Sequence, residues 1–160
     1  MGDLLHRLIG HDAQTPWRII ASPQRRAKRT AEIIASRLGR AVEFDPRLAE
    51  VSVGAWEGLL YAEIAKDDPT FLTDREWFFR GPGGETYDDV MGRVRTLLLE
   101  QEAEAHRRLI VVSHGVAGRL LRGAYAGLSR HDTMQQDVPQ DAIFRLSGGT
   151  VERLECEAVL

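Results

Sequence analysis

The stretch RLIVVSHG, residues 108–115, determines the predicted fold of this chain. Its aliphatic residues 109–112 form a continuous apolar run, which is typical of a strand covered on both faces in a parallel sheet. Beyond Gly115, apolar residues recur at helical spacing as far as Gly127, which predicts a helix closed by a glycine cap. We therefore expect His114 at the carboxyl end of a buried strand, where α/β proteins bind ligands and helix N-termini favour anions.

A second strand–helix unit is predicted near the beginning of the chain. Residues 17–21, WRIIA, predict a short buried strand. Ser22 is the predicted N-cap of the next helix and Pro23 its first residue, because serine caps and prolines at the first helical position are both favoured. Gly39 is expected to end this helix. Ser22 and His114 are thus both predicted at the junction between a buried strand and the helix that follows it.

The remaining pattern continues the alternation of strands and helices. Residues 41–44 predict a third short strand, and Glu50 beyond it is placed to give a proton to a leaving group. An irregular excursion with two short helices is predicted over residues 59–85, and within it we interpret the aromatic residues 77–79 as core rather than pocket wall.

The longest helix and a hairpin complete the chain. Thr86 with Asp89 resembles a capping box, which predicts the start of the long helix. Residues 142–146 and 150–157 predict strands joined through two glycines, a good hairpin signal. We therefore predict an α/β fold in one domain spanning residues 1–160: a three-layer, mostly parallel sheet flanked by helices, with a C-terminal hairpin.

Composition excludes several classes of function. With 43% hydrophobic residues, 28% charged residues and a net charge of −3, nothing indicates a nucleic-acid or membrane partner. The single cysteine, Cys156, excludes an intramolecular disulfide and suits a reducing cytoplasm. No metal is expected, because the histidines show no ligand spacing. They are His6, His11, His106, His114 and His131.

Cations cluster near the start of the helix that follows Ser22. Because cations there oppose the helix dipole, their position is locally unfavourable unless an anion binds nearby. We interpret most of them as a solvated basic face, since neither net charge nor interleaved aromatics supports a nucleic-acid surface. These are Arg25, Lys28 and Arg29. Arg26 is the exception, because its planar guanidinium and His114 can together clamp one phosphate.

Several ordered segments together resemble one family, the histidine phosphatase superfamily of phosphoglycerate-mutase-like proteins. The segments are SPQRRAKRTAE at 22–32, LAE at 48–50 with GAWEG at 54–58, GET at 84–86 leading to Arg93, VVSHG at 111–115 with Arg119, and VPQDA at 138–142. The resemblance implies a phosphoglycerate-mutase-like fold and a metal-free, cofactor-free site for a small-molecule phosphate ester. It implies that Arg26, Ser22 and His114 bind the phosphate, that His114 also stabilises the transferring phosphoryl group, and that Glu50 is the proton donor.

One family motif is missing from the sequence. The Arg-His-Gly that supplies the nucleophilic histidine does not occur, and neither His6 nor His11 follows an apolar strand. We therefore expect an N-terminally truncated domain without its first strand, a phosphomonoesterase impaired by the loss of its nucleophile. Mutase-type phosphotransfer and a non-catalytic phosphate-ester-binding remnant remain as alternatives. A serine hydrolase using Ser22 or Ser113 is disfavoured, because neither lies in a Gly-x-Ser-x-Gly elbow.

The missing strand has a consequence for the sheet. The strand over residues 109–112 is expected to have an unpaired edge, which favours pairing with other strands. We expect either the C-terminal hairpin to shift across this edge or a second copy of the chain to cover it, forming a homodimer.

Overall fold

The computed structural model describes residues 17–102 and 108–155. Its strands and helices are, in chain order, β1 (Arg18–Ala21), α1 (Arg25–Leu38), β2 (Val42–Phe44), α2 (Tyr61–Asp67), α3 (Tyr87–Glu102), β3 (Leu109–Val112), α4 (Gly115–Ala126), α5 (Arg130–Gln135), β4 (Ala142–Ser147) and β5 (Thr150–Glu155). Short 3-10 turns lie at Pro46–Leu48, Gly54–Trp56, Phe71–Thr73 and Trp77–Phe79.

Three parallel strands form the central sheet in the order β2-β1-β3. Ala21 pairs with Phe44 on one side and with Val112 on the other, so all three strands end at one edge of the sheet. The ladder continues past the strand ends, because the Ser22 amide donates to the Val112 carbonyl at 2.9 Å. The residues that follow β1 and β3 are therefore neighbours.

Each face of the sheet is covered by helices, which gives the predicted three layers. On one face, Ile19 and Ile110 pack with Ile34 of α1. On the other, Ile20 packs with buried residues of α3 and α4, including Val94 and Leu120. The aliphatic residues of β1 are buried, as predicted for a short buried strand. In β3, for which a continuous apolar run predicts cover on both faces, Ile110 is buried and its neighbours are half-buried. The parallel sheet and the C-terminal hairpin are confirmed.

The predicted start of α1 is wrong by two residues. The helix begins at Arg25 with Gln24 as its N-cap, so Ser22 is not the cap and Pro23 is not the first helical residue. The reason is that the Ser22 amide still belongs to the sheet ladder, which holds this residue extended. Ser22 is completely buried, and its hydroxyl accepts a hydrogen bond from the Gln24 amide at 3.2 Å.

Most of the other predicted features are present. Thr86 and Asp89 exchange the hydrogen bonds of a capping box, and α3 begins after them. The aromatic residues 77–79 pack into the core clusters, with Phe78 buried. Helix α5 is absent from the prediction, although Ser129, whose side chain accepts from the Asp132 amide, is an ordinary N-cap signal.

Strand β3 pairs with β1 and, among the described residues, with no other strand. The hairpin forms a separate antiparallel sheet beside it. Ile143 and Leu146 of β4 pack against the clusters on the two faces of the sheet, without a hydrogen-bonded ladder to β3. The predicted shift of the hairpin into the sheet is therefore not observed in the part of the chain that the structure describes.

Some sequence-based expectations fall outside the described residues. They concern His6, His11, His106, Cys156 and the end of the long helix beyond Glu102. Among the helices of residues 17–102 and 108–155, none is long and apolar enough to cross a membrane.

Candidate active site

Three side chains from two strand–helix junctions meet at the carboxyl edge of the sheet. Ser22 directly follows β1 and His114 lies two residues beyond the end of β3, so the pairing of these strands brings both residues to the same edge of the sheet. The His114 Nε2 atom lies 2.7 Å from the Ser22 hydroxyl oxygen. Arg26, in the first turn of α1, donates its Nε–H to His114 Nδ1 at 2.9 Å. The structure thus brings together all three residues to which the resemblance gives a phosphate-binding role.

The hydrogen bonds define the tautomer of His114. Because Arg26 donates to Nδ1, that nitrogen carries a lone pair, and the ring hydrogen lies on Nε2, which donates to Ser22. Burial is the main influence that lowers the pKa of His114 below its ordinary value, and the positive charge of Arg26 lowers it further. Glu50 acts in the opposite direction and is outweighed. The imidazole is accordingly neutral near pH 7.

Arg26 has hydrogen-bonding capacity to spare. Of its guanidinium nitrogens only Nε is hydrogen-bonded within the described chain, and the residue is exposed. The terminal nitrogens of a guanidinium form a planar fork that fits a phosphate oxygen pair. An anion at this edge would meet Arg26, the Ser22–His114 pair and the N-terminus of α4, which is a favourable position for negative charge.

Glu50 lies at the same edge of the sheet as the phosphate-binding side chains, and its carboxylate contacts the first turn of α4. Its carboxylate accepts hydrogen bonds from the amides of Ala117 at 2.9 Å and Val116 at 3.2 Å. Gly115 permits the close approach of Val138, because a Cβ there would lie 3.0 Å from a methyl group of Val138, whereas it would be in ordinary contact with the Glu50 carboxylate at 3.6 Å. The proposed acid therefore sits near His114, half-buried, with its carboxylate accepting hydrogen bonds from backbone amides.

Gln24 connects the two sides of the site, and the sequence analysis did not identify it. Its side-chain oxygen accepts a hydrogen bond from the Glu50 backbone amide at 3.3 Å, while the backbone amide of Gln24 donates to the Ser22 hydroxyl. Its place between Ser22 and Arg26 in the segment 22–32 was the only signal. No sequence motif indicates that Gln24 contacts Glu50.

The other cations of α1 lie away from these residues. Lys28 sits 5.3 Å above the ring of Phe44 and 4.0 Å from Glu32. Together with Arg25 and Arg29 it lies exposed on the helix. Their positions agree with a solvated basic face.

The structure also places two further residues that the sequence singled out, Ser113 and Arg119. Ser113 donates its hydroxyl to the Leu48 carbonyl at 2.8 Å, which occupies it as a brace between β3 and the acid-bearing loop. Arg119 lies one helical turn beyond Gly115, and burial is the main influence that lowers the pKa of its guanidinium. Within residues 17–102 and 108–155, no three His, Cys, Asp or Glu side chains are grouped so that they could hold a metal ion.

Comparison with known proteins places this geometry in a family. The model of the histidine phosphatase superfamily (branch 1) matches residues 4–152. A glucosyl-3-phosphoglycerate phosphatase of Mycobacterium tuberculosis is 35% identical over 113 residues, which are 62% of this chain and 50% of that protein. A probable phosphoglycerate mutase of Salmonella paratyphi B is 34% identical over 114 residues, which are 69% of this chain and 53% of that protein.

Solved structures show the same similarity. The phosphate complex of mycobacterial glucosyl-3-phosphoglycerate phosphatase superposes with a TM-score of 0.67 at 27% identity, covering 89% of this chain and 75% of that one. The chain spans about half the length of the two curated relatives it matches here.

Proposed function

Because the chain belongs to the histidine phosphatase superfamily (branch 1), we propose that its site binds and processes the phosphoryl group of small phosphate monoesters. The observation that carries this proposal is the meeting of Arg26, Ser22 and His114 at the carboxyl edge of the sheet, with Glu50 beside them. The site joins an anion-binding half to a carboxyl group, which supply phosphoryl neutralisation and a proton for the leaving oxygen, two of the parts that phosphoester cleavage needs.

Each side chain has a role that follows from its contacts. Arg26 neutralises the phosphoryl oxygens, and neutral His114 donates a hydrogen bond from Nε2 to an oxygen that replaces the Ser22 hydroxyl as its partner. Glu50, once protonated, gives its proton to the leaving oxygen. Guanidinium and imidazole groups supply the neutralisation, so the proposed mechanism includes no metal or cofactor.

The nucleophile is the part of the mechanism that these side chains do not supply. No Arg-His-Gly occurs in the sequence, and His114 has both ring nitrogens engaged. We therefore propose that these 160 residues bind phosphate esters but hydrolyse them slowly. Loss of the nucleophile in a covalent mechanism can lower the rate by about 10⁶-fold, while positioning and electrostatics retain part of the catalysis.

Titration calorimetry with inorganic phosphate tests the binding half of the proposal. We expect the chain to bind phosphate and His114→Ala to bind it at least about tenfold more weakly, because a charge-assisted site loses a donor. A chain that does not bind phosphate at all, although folded, would contradict the proposed function.

Hydrolysis of p-nitrophenyl phosphate tests the catalytic half. The comparison is between this chain and a version extended by an upstream strand that ends in Arg-His-Gly, each with a His114→Ala control. We expect rapid turnover only in the extended protein. If the chain alone turns over at an ordinary enzymatic rate and forms an acid-labile phosphoprotein, the proposed impairment is wrong.

Two alternative functions have specific support. The similarity to a probable phosphoglycerate mutase favours phosphotransfer between two substrates, and the missing motif favours a binding module without catalysis. An assay of the extended protein separates the mutase-type reaction from phosphatase activity: transfer to an added hydroxyl acceptor indicates a mutase-type reaction, and release of phosphate to water indicates a phosphatase. Glucosyl-3-phosphoglycerate and simpler sugar phosphates are the first esters to test, given the similarity to a phosphatase named for that ester.

The open edge of β3 supports a further proposal about assembly. Leu109, Val111 and Val112 are half-buried, and β3 has a ladder partner on one side only within the described chain. We propose that the corresponding edge of a second copy covers it, giving a homodimer. Sedimentation at concentrations spanning the micromolar range would contradict this if the chain remained a monomer throughout.

For location, the single cysteine supports a reducing compartment such as the cytoplasm.

A further inference from the structure

The backbone that carries Glu50 is held by Gln24, by Ser113 and by a side chain of the helix α3. Arg93 of α3 donates from Nη1 to the carbonyls of Arg47 at 2.6 Å and Ala49 at 2.8 Å. From Nη2 it donates to the carbonyl of Glu50 at 3.4 Å. The loop after Pro46–Leu48 has no regular secondary structure here, so these bonds replace the ladder that a strand would provide.

Glu85 fixes Arg93 in this position. The guanidinium donates to the Glu85 carboxylate in a bidentate pair, from Nε at 2.8 Å and from Nη2 at 3.0 Å. Burial acts to raise the pKa of Glu85, but the hydrogen bonds from Arg93 and from the Ser52 amide outweigh it, so the pKa lies below its usual value. The carboxylate is therefore charged near pH 7 and keeps Arg93 oriented.

The same carboxylate also holds the loop on the far side of Glu50. The Ser52 amide donates to Glu85 at 2.9 Å, and the Glu85 amide donates to the Ser52 carbonyl at 2.8 Å. Arg93 thus binds the backbone before and at Glu50, and Glu85 binds it two residues later. Only arginine has donors in the fixed fork that reaches carbonyls and carboxylate at once.

The effect of these contacts on the position of Glu50 can be measured at the backbone amides of α4. The amides of Val116 and Ala117 lie in the first helical turn, where backbone donors have no acceptor within the helix. Both donate to the Glu50 carboxylate. Their protection from solvent exchange therefore depends on where Glu50 is held.

We propose that Arg93, oriented by Glu85, is the positioning residue that fixes the Glu50 carboxyl group beside the phosphate-binding side chains. The inference rests on the proposed role of Glu50 as proton donor. It adds that this role depends on a side chain whose hydrogen bonds go to the loop backbone and to Glu85, and whose positive charge, as a smaller influence than burial, also helps to lower the pKa of His114. Without Arg93 the Arg47, Ala49 and Glu50 carbonyls lose their donor, the loop shifts, and Glu50 leaves the α4 N-terminus.

Amide hydrogen exchange followed by NMR tests the proposal on the chain itself, without requiring turnover. In Arg93→Gln we expect the Val116 and Ala117 amides to exchange roughly tenfold faster or more, because several hydrogen bonds to a charged group are lost. Amides of β1 should be unchanged. Arg130→Gln is the matched control, because Arg130 also pairs with a glutamate, Glu76, and lies elsewhere.

A double-mutant cycle distinguishes positioning from general support of the fold. If Arg93 acts through Glu50, then Arg93→Gln should add nothing to the exchange of Val116 and Ala117 in a Glu50→Ala background. Additive effects, or equal acceleration throughout β1 and α4, would overturn the proposal. If Arg93→Gln does not fold, Arg93→Lys decides the question in its place. It keeps the charge beside Glu85, has no guanidinium fork, and is expected to give the same local acceleration.

The phosphate titration keeps the two proposals apart. Arg93→Gln leaves Arg26, Ser22 and His114 in place, so phosphate should still bind. A wild-type chain that does not bind phosphate overturns the proposed function and, with it, the role of the brace. Phosphate binding with unaltered Val116 and Ala117 exchange in Arg93→Gln overturns the brace alone.

Discussion

The two sides of the candidate site are held in different ways. On the phosphate side, formed by Ser22, Arg26 and His114, side chains bond directly to one another. On the acid side, formed by Glu50 and the first turn of α4, the carboxylate bonds to backbone amides, and its loop is held by carbonyl contacts. The phosphate side therefore depends on side-chain identity, and the acid side depends on the path of the backbone. Substitutions can break each side separately.

The largest effect is expected from Arg26→Ala, which removes the charge from the phosphate side. Hydrogen bonds to charged groups contribute about 1.5–3 kcal/mol each, so phosphate affinity should fall by roughly tenfold to 100-fold. Calorimetric titration measures this. The backbone of the acid side should be unchanged, and accelerated exchange of the Val116 and Ala117 amides in this variant would show that the two sides are not independent.

The loop that follows the acid side should be destabilised by a change that involves no charge. Gly54 has a φ of +57°, and a Cβ there would lie 2.2 Å from the Pro82 carbonyl oxygen. Gly54→Ala should lower the free energy of unfolding by about 2 kcal/mol or more, through a strained conformation and displacement of the adjoining loop. Urea denaturation measures the loss.

Gly58→Ala is the matched control for that prediction. Gly58 has a φ of +76° but nothing within 4 Å of its Cβ position, so it retains the conformational strain without the clash. Its loss of stability should be smaller, about 1 kcal/mol. Equal losses in the two variants would mean that the contact with Pro82 is unimportant.

A pH dependence sharpens the comparison on the phosphate side. Burial and Arg26 lower the pKa of His114 below its ordinary 6.5, so the unfolded chain binds this proton more readily than the folded chain. The stability contributed by neutral His114 is complete above about pH 6.5 and is lost as the pH falls toward the folded pKa. Thermal unfolding between about pH 7 and pH 5 should therefore show a shallower decline in His114→Gln than in the unmodified chain.

The smallest effect is expected on the basic face of α1. Arg25 and Arg29 lie near the helix N-terminus and are exposed, with no acidic residue in the first turn. Replacing both with Gln should raise stability by about 0.3–1 kcal/mol at low salt and leave phosphate affinity within about twofold. A large loss of phosphate affinity would show that this face belongs to the binding site.

The phosphate side was the more predictable of the two from sequence. Apolar runs identify β1 and β3, and their two strand ends predicted that Arg26 and His114 meet at one anion site. The contact between Ser22 and His114 depends on the pairing of β1 with β3, which the sequence did not specify. The first residue of α1 was not predictable, because the ladder bond of the Ser22 amide depends on β3. The contacts of Gln24 and Arg93 with the acid loop join distant segments through packing, and no local pattern records them.

The register of the sheet also determines when the site can form during synthesis. Arg18 pairs with Leu109, so β1 has no partner on that side until most of the chain has been made. A parallel pair needs its whole crossover connection first, and closing a long connection is slow. Nascent chains that stop short of α4 therefore contain Ser22 and Arg26 but not the phosphate side. In a series of stalled chains, resistance of β1 to proteolysis should appear only in those that extend past Ala126.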